Sequence, residues 1–258
     1  MIGGQDMKNQ IKRIGFLAVC ILLMHTASFA QALKVAAAAN LQSVITVLQK
    51  DFKQKTGVDI EPIVGSSGNL VAQMHNGAPF DVFLSADMSF PKKLQEDGLT
   101  TGAPVVYAQG NLIICSTQDL GFENWERLLL TPRIKKIAIA NAAIAPYGLA
   151  AQEALQKKGI YNDIKGKLVT GESIAQVNTY ITTGVAEVGF TTQSLVKDPA
   201  NKTKLYWKAI DPKIYAPIEQ GMVVLKSSAN KANADKFFKY LQSADAKKIL
   251  EEYGYHVQ

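Results

Sequence analysis

Lys34-Val35-Ala36-Ala37-Ala38-Ala39-Asn40 and Ile60-Glu61-Pro62-Ile63-Val64-Gly65-Ser66-Ser67-Gly68 repeat one design within the first third of the chain. Each is a short apolar run of strand character that breaks on a small polar residue, and each leads into apolar residues at helical spacing. After Asn40 these are Leu41, Val44, Ile45, Leu48 and Phe52, up to a stop at Gly57. After Ser67 they are Leu70, Val71 and Met74, up to Gly77. A helix start carries N–H groups without intrahelical acceptors and the positive end of the macrodipole, so it holds an anion without a charged side chain. Two such ends facing one another make a cage for a small oxyanion.

The alternation continues along the chain. Residues 81–86 read as a strand and residues 92–97 as a helix, so each step is a strand–helix unit and a parallel sheet with flanking helices is expected. A second series begins near residue 105. It has strand signals at 112–115, 136–140, 168–170 and 188–191, and helix patterns at 148–158 and 173–182. A short apolar strand at 222–225 and two helix patterns, 232–241 and 244–253, close the sequence. This order predicts an α/β protein of two lobes that the chain crosses near Tyr107 and Pro217. Residues 31–107 with 218–258 form one lobe and residues 108–217 the other. A cleft between such lobes gathers strand ends and helix starts, and two hinge strands permit closure around a ligand.

The N-terminus reads differently. Lys8, Lys12 and Arg13 precede an apolar run at 14–24, and Ser28-Phe29-Ala30 suits cleavage before Gln31. Residues 1–30 are thus expected to be a secretory signal peptide, too short in its apolar part to span a bilayer. The formal net charge of +6 loses three positive charges and one negative with that segment, leaving +4. No cluster of Lys and Arg is dense enough for nucleic acid. Cys20 leaves with the signal; a lipid anchor on it is disfavoured by the bulky Val19. Cys115, in an apolar context, is then a lone thiol that packs rather than reacts.

Four helix starts follow four strands, at Asn40, at Ser66 and Ser67, at Pro146-Tyr147-Gly148 and at Glu172-Ser173-Ile174. An ordinary cap is the competing reading for Asn40 and the two serines. Tyr147 is able to donate a phenolic hydrogen bond, and at the fourth start backbone N–H groups serve rather than the Ile174 side chain. Enzymatic readings fare poorly. Gly65-Ser66-Ser67-Gly68-Asn69 misses the small last residue of a nucleophile elbow, and His75 lies at the wrong end of its helix to act as base for Ser67. The phosphate-cradling glycine motifs and Cys/His clusters of metal-ligand spacing are missing. Asp81, Asp87, Glu172 and Glu187 form no pair spaced for acid–base work.

Ala37-Ala38-Ala39-Asn40-Leu41, Gly65-Ser66-Ser67-Gly68-Asn69-Leu70, the stretch from Gly77 through Asp81 to Asp87, and Pro146-Tyr147-Gly148 resemble the periplasmic molybdate-binding proteins of ABC importers. The resemblance runs from about Leu33 to the C-terminus. It implies a type II periplasmic-binding-protein fold, two α/β lobes joined by two hinge strands with the ligand cleft between them. It also implies a non-enzymatic receptor, monomeric and without cofactor, that delivers molybdate or tungstate to a membrane permease and its ATPase. Molybdenum enters only as the bound oxyanion. By position, Asn40 and Ser67 match ligand-binding side chains, and Tyr147 and Ile174 match backbone donors, with Ala39 and Ser66 as neighbours. Many members carry a ligand-binding tyrosine where this chain has Thr192. Either Tyr147 substitutes from its own helix or the pocket is altered. Sulfate, thiosulfate or phosphate are the alternative ligands, separated from molybdate by cavity size.

Overall fold

The computed structural model describes residues 32–257; the secretory signal expected at 1–30 lies outside the described residues. Among the described residues ten strands are formed: β1 (Leu33–Ala38), β2 (Ile60–Gly65), β3 (Val82–Leu84), β4 (Val105–Gly110), β5 (Leu112–Ser116), β6 (Ile137–Ala140), β7 (Leu168–Gly171), β8 (Val188–Thr192), β9 (Tyr206–Ala209) and β10 (Ile218–Val224). They make two five-stranded sheets, ordered β2-β1-β3-β10-β4 and β7-β6-β8-β5-β9. The main helices are α1 (Ile45–Thr56), α2 (Ser67–His75), α3 (Ser89–Glu96), α4 (Trp125–Leu130), α5 (Pro146–Lys157), α6 (Ile174–Thr182), α7 (Lys231–Tyr240) and α8 (Ala244–Glu252).

The period of two along the strands decides which helices cover which face. In the first sheet, Val35 and Ala37 of β1, Val82 and Leu84 of β3, and Met222 and Val224 of β10 share one core. That core includes Leu48 and Phe52 of α1, Phe237 of α7 and Leu250 of α8. The alternate residues Ala36, Phe83 and Val223 face the other way, onto Leu70, Val71 and Met74 of α2 and Leu94 of α3. A strand buried on both faces must be apolar throughout, and this explains the unbroken Ala-rich run of β1. The second sheet packs against α4, α5 and α6, with Trp125 edge-on to Phe190 at 5.6 Å between ring centres.

Both sheets are mixed, which the strand–helix alternation did not predict. Strands β1, β2 and β3 are parallel, as are β6, β7 and β8. But β10 runs antiparallel to β3 and β4, and β5 antiparallel to β8 and β9. The connections are the cause. Asn111 alone separates β4 in the first sheet from β5 in the second, and residues 210–217 return the chain to β10. Each crossing strand therefore enters its sheet from the end opposite to a helical crossover. The parallel strands of both sheets present their C-terminal ends, β1 to β3 on one side and β6 to β8 on the other, to the same cleft.

Candidate functional site

Where those strand ends meet, a cavity is lined by Ala38, Ala39, Asn40, Ser66, Ser67 and Ala86 from the first sheet's side, and by Ala145, Pro146, Tyr147 and Ile174 from the second's. Among the described residues, no charged side chain lines it. Asn40, Ser67 and Tyr147 are all 2% exposed or less. Four chain segments contribute their helix starts, and the polar surface they offer is N–H groups and neutral side chains.

Asn40 is not the cap of a long helix. A turn of 3-10 helix, Ala39–Leu41, follows β1, and α1 begins only at Ile45. Ala38 holds the cap position, so Asn40 lies inside the turn and its side chain caps nothing. Leu41, Val44, Leu48 and Phe52 are still buried together. A 3-10 turn puts residues three apart on one side much as an α-helix does, so the periodicity could not tell them apart. The Asn40 Nδ2 donates to Gln220 Oε1 at 2.8 Å and to Tyr255 Oη at 3.1 Å. Its Oδ1 is buried without a hydrogen-bond partner.

Ser66 occupies the cap position of α2 in extended conformation, yet its Oγ caps nothing and is buried without a partner. Ser67 is the first helical residue; its Oγ accepts from the Ala86 N–H at 3.1 Å, which leaves the hydroxyl proton to donate elsewhere. Gly68 donates its N–H to the Ile144 carbonyl, on the opposite wall, at 3.0 Å. A Cβ on Gly68 would stand 2.8 Å from Ile144 Cβ, so only glycine allows this approach.

On the opposite wall, Pro146 opens α5 and has no N–H, so Tyr147 supplies the helix's first donor. The Tyr147 phenol points elsewhere than sequence position alone foretold. Its Oη accepts from Thr192 Oγ1 at 3.1 Å and lies 3.3 Å from Gln220 Nε2. Ile174 begins α6, whose cap Ser173 accepts only from the Gln176 N–H at 3.3 Å, so the Ile174 N–H has no acceptor in its own helix. Thr192 is not among the lining residues. It stands behind Tyr147, and its Oγ1 also accepts from the Ser194 N–H at 3.4 Å.

The sequence did not reveal the buried layer behind Asn40: Tyr107, Ser194, Gln220 and Tyr255. Gln220 is 180 residues from Asn40 and Tyr255 is 215 residues away, so no local spacing could pair them. Burial raises the phenol pKa of Tyr107, Tyr147 and Tyr255 above the ordinary value of 10.0, most strongly at Tyr107 and Tyr147. All three are therefore neutral hydroxyls. Ser67 has no catalytic partner in His75, which sits at the far end of α2 with its Nε2 3.4 Å from Asp97. Of the carboxylates near strand ends, Asp81, Asp87 and Glu187 serve the scaffold. Asp81 accepts from the Lys34 N–H and the Ser228 hydroxyl, and Glu187 from the N–H groups of Lys135 and Lys136.

Residues 33–256 match the family model of the bacterial extracellular solute-binding proteins. The molybdate-binding protein ModA of Rhodobacter capsulatus is 38% identical over 221 residues, covering 85% of this chain and 86% of that one. The ModA of Azotobacter vinelandii is 34% identical over 237 residues, covering 92% and 94%. The solved structure of the Azotobacter vinelandii periplasmic molybdate-binding protein superposes with a TM-score of 0.83 at 33% identity, over 88% of this chain and 99% of that one. In sequence and in fold alike, this chain belongs to the bacterial extracellular solute-binding protein family and groups there with the ModA proteins.

Proposed function

We propose that this protein is an extracytoplasmic receptor that captures molybdate or tungstate and delivers it to the permease and ATPase of an ABC importer. One observation carries the reading: a cavity lined by buried residues and ringed by four helix starts, with no ionised side chain among the described residues of its wall. A tetrahedral dianion taken out of water must be met by donors on all sides, or its burial costs far more than any fold can supply. Fixed N–H dipoles and hydroxyls meet that demand without a buried counter-charge. The ModA relatives named above are molybdate binders by name, which supports the choice of ion.

In this reading Asn40 and Ser67 supply side-chain donors, and Tyr147, Ile174 and Ala39 supply backbone N–H groups. Ser66 adds a hydroxyl, and Thr192 acts from behind by fixing the Tyr147 ring. The division into a lobe of residues 31–107 with 218–258 and a lobe of residues 108–217 is part of the proposal, with closure about the crossings and binding as a monomer. One detail refines it: β4 stays hydrogen-bonded to β10 as far as Gly110, so residues 108–110 belong with the first sheet. No bond is made or broken, no cofactor is used, and residues 1–30 direct the chain to the periplasm.

A phosphate reading has one observation in its favour. Asn40 Oδ1 is a buried acceptor, and a protonated phosphate brings an O–H that molybdate lacks. Thermal unfolding with molybdate, tungstate, sulfate, thiosulfate and phosphate separates these readings, because a ligand raises the midpoint according to its affinity. A marked rise with molybdate and tungstate and little with the others is expected. A larger rise with sulfate or phosphate overturns the assignment.

A further inference from the structure

Asn40 is held from behind by side chains that decide what its amide offers the cavity. The Nδ2 end is taken by Gln220 and Tyr255, and the Oδ1 end has no partner. In this orientation the carboxamide's free end is an acceptor, which a fully ionised oxyanion cannot use. Gln220 is fully buried on β10, at a register shift in the ladder with β4. Its Oε1 also accepts from Tyr107 Oη at 2.9 Å, and its Nε2 lies 3.3 Å from Tyr147 Oη. One carboxamide thus touches residues from both walls of the cavity. Gly110 makes room for it: a Cβ there would overlap the Tyr147 hydroxyl and come within 2.8 Å of Gln220 Nε2.

A half-turn of a carboxamide exchanges donor and acceptor with almost no change of shape. If Asn40 and Gln220 turn together, Asn40 Oδ1 accepts from Gln220 Nε2 and Gln220 Oε1 accepts from the Tyr147 hydroxyl. Tyr107 then gives its proton to the Ser85 carbonyl, already 3.4 Å away. The Asn40 carbonyl keeps the Ser194 hydroxyl at 2.9 Å, which frees Tyr255 to donate to Asn40 Oδ1. Every buried partner is conserved, and Asn40 Nδ2 takes the place that Oδ1 held. The exchange needs protonated phenols, and burial keeps them so.

We propose that Gln220 is the positioning residue of the anion site: its carboxamide sets which end of the Asn40 amide meets the ion, and the two amides reverse together as the ion enters. This rests on the oxyanion-receptor reading above. The test is a double-mutant cycle of molybdate affinity, by calorimetry, in the full protein, Gln220→Met, Asn40→Ser and the double variant. A serine hydroxyl rotates freely and needs no orienting partner. Gln220→Met is expected to weaken binding about tenfold or more beside Asn40, and less than about threefold beside the serine. Equal losses in both backgrounds, or none in either, overturn the proposal. If thermal unfolding without the ion finds Gln220→Met unfolded, Gln220→Glu carries the same cycle. A glutamate accepts from Asn40 Nδ2 but cannot donate, and its charge is common to both backgrounds. Failure of the unaltered protein to bind molybdate overturns the receptor reading and this inference with it; binding with background-independent Gln220 effects overturns this inference alone.

Discussion

The Gly68 N–H donates to the Ile144 carbonyl at 3.0 Å, tying the first turn of α2 to the loop that precedes α5 on the opposite wall of the cavity. One of the N–H groups at this helix start is thereby spent on joining the two walls rather than on the cavity, and the join depends on a missing side chain. Gly68→Ala places a methyl group 2.8 Å from Ile144 Cβ. Overpacking of this kind costs about 1–3 kcal/mol, and here it falls on the meeting of the walls rather than on either core. We expect roughly 5- to 150-fold weaker molybdate binding, with the unliganded unfolding midpoint little changed. Calorimetry and thermal unfolding check this, and a second substitution, Ile144→Gly, should restore affinity.

Ser67→Ala removes a hydroxyl whose proton is free to reach a bound anion. Hydrogen bonds to charged groups contribute about 1.5–3 kcal/mol, so affinity should fall roughly 10- to 150-fold. Ser66→Ala makes the informative partner. Its Oγ is buried with no acceptor or donor, so its loss should leave the unliganded protein as stable or slightly more stable. Unchanged molybdate affinity in Ser67→Ala would remove that residue from the site.

Among the described residues, the cavity wall holds one titratable side chain, Tyr147, and burial keeps its phenol well above the ordinary 10.0. Affinity for molybdate should therefore be flat from about pH 6 to pH 9. A change of more than about threefold in that window would reveal a titrating group at the site.

Cys115 lies fully buried on β5, and burial pushes its thiol from 9.0 up to about 12. A thiol reagent at pH 8 should leave the native protein unlabelled and label it after unfolding, as mass spectrometry would show. The sign of the alkaline effect follows from the same shift. Above pH 9 the unfolded thiol ionises while the folded one does not, so the unfolded state binds fewer protons and stability falls as pH rises from about 9 toward 12. The buried phenols act in the same direction above 10.0. The unfolding midpoint should drop across that range.

Strands β1, β6 and β8 are legible because both of their faces are covered, and a doubly covered strand is written as a largely apolar run. The edge strands β2 and β7, each with an exposed residue, are legible from their short β-branched runs. The helix starts at Ser67, Tyr147 and Ile174 are legible from the strand-then-cap order. The mixed character of the sheets is not, because strand direction depends on where crossings such as Asn111 deliver the chain. Asn40 illustrates a subtler limit. Its place at the cavity could be anticipated from the residues around it, but its role as a cap could not survive a 3-10 turn that preserves the helical spacing of Leu41, Val44 and Leu48. The layer of Tyr107, Gln220 and Tyr255 is invisible to any local pattern. These residues meet only because β4, β10 and the C-terminal segment converge, the last through a bridge between Gln109 and His256.

A cavity wall with no lysine or arginine among the described residues has a consequence for unloading in the proposed receptor. A receptor that neutralises its cargo with basic side chains must strand those charges in a dry pocket whenever the cargo departs. Here the emptied chamber keeps only amides and hydroxyls, which water can satisfy as soon as the walls part. In the proposed receptor, capture and surrender of the ion are thus compatible in one pocket.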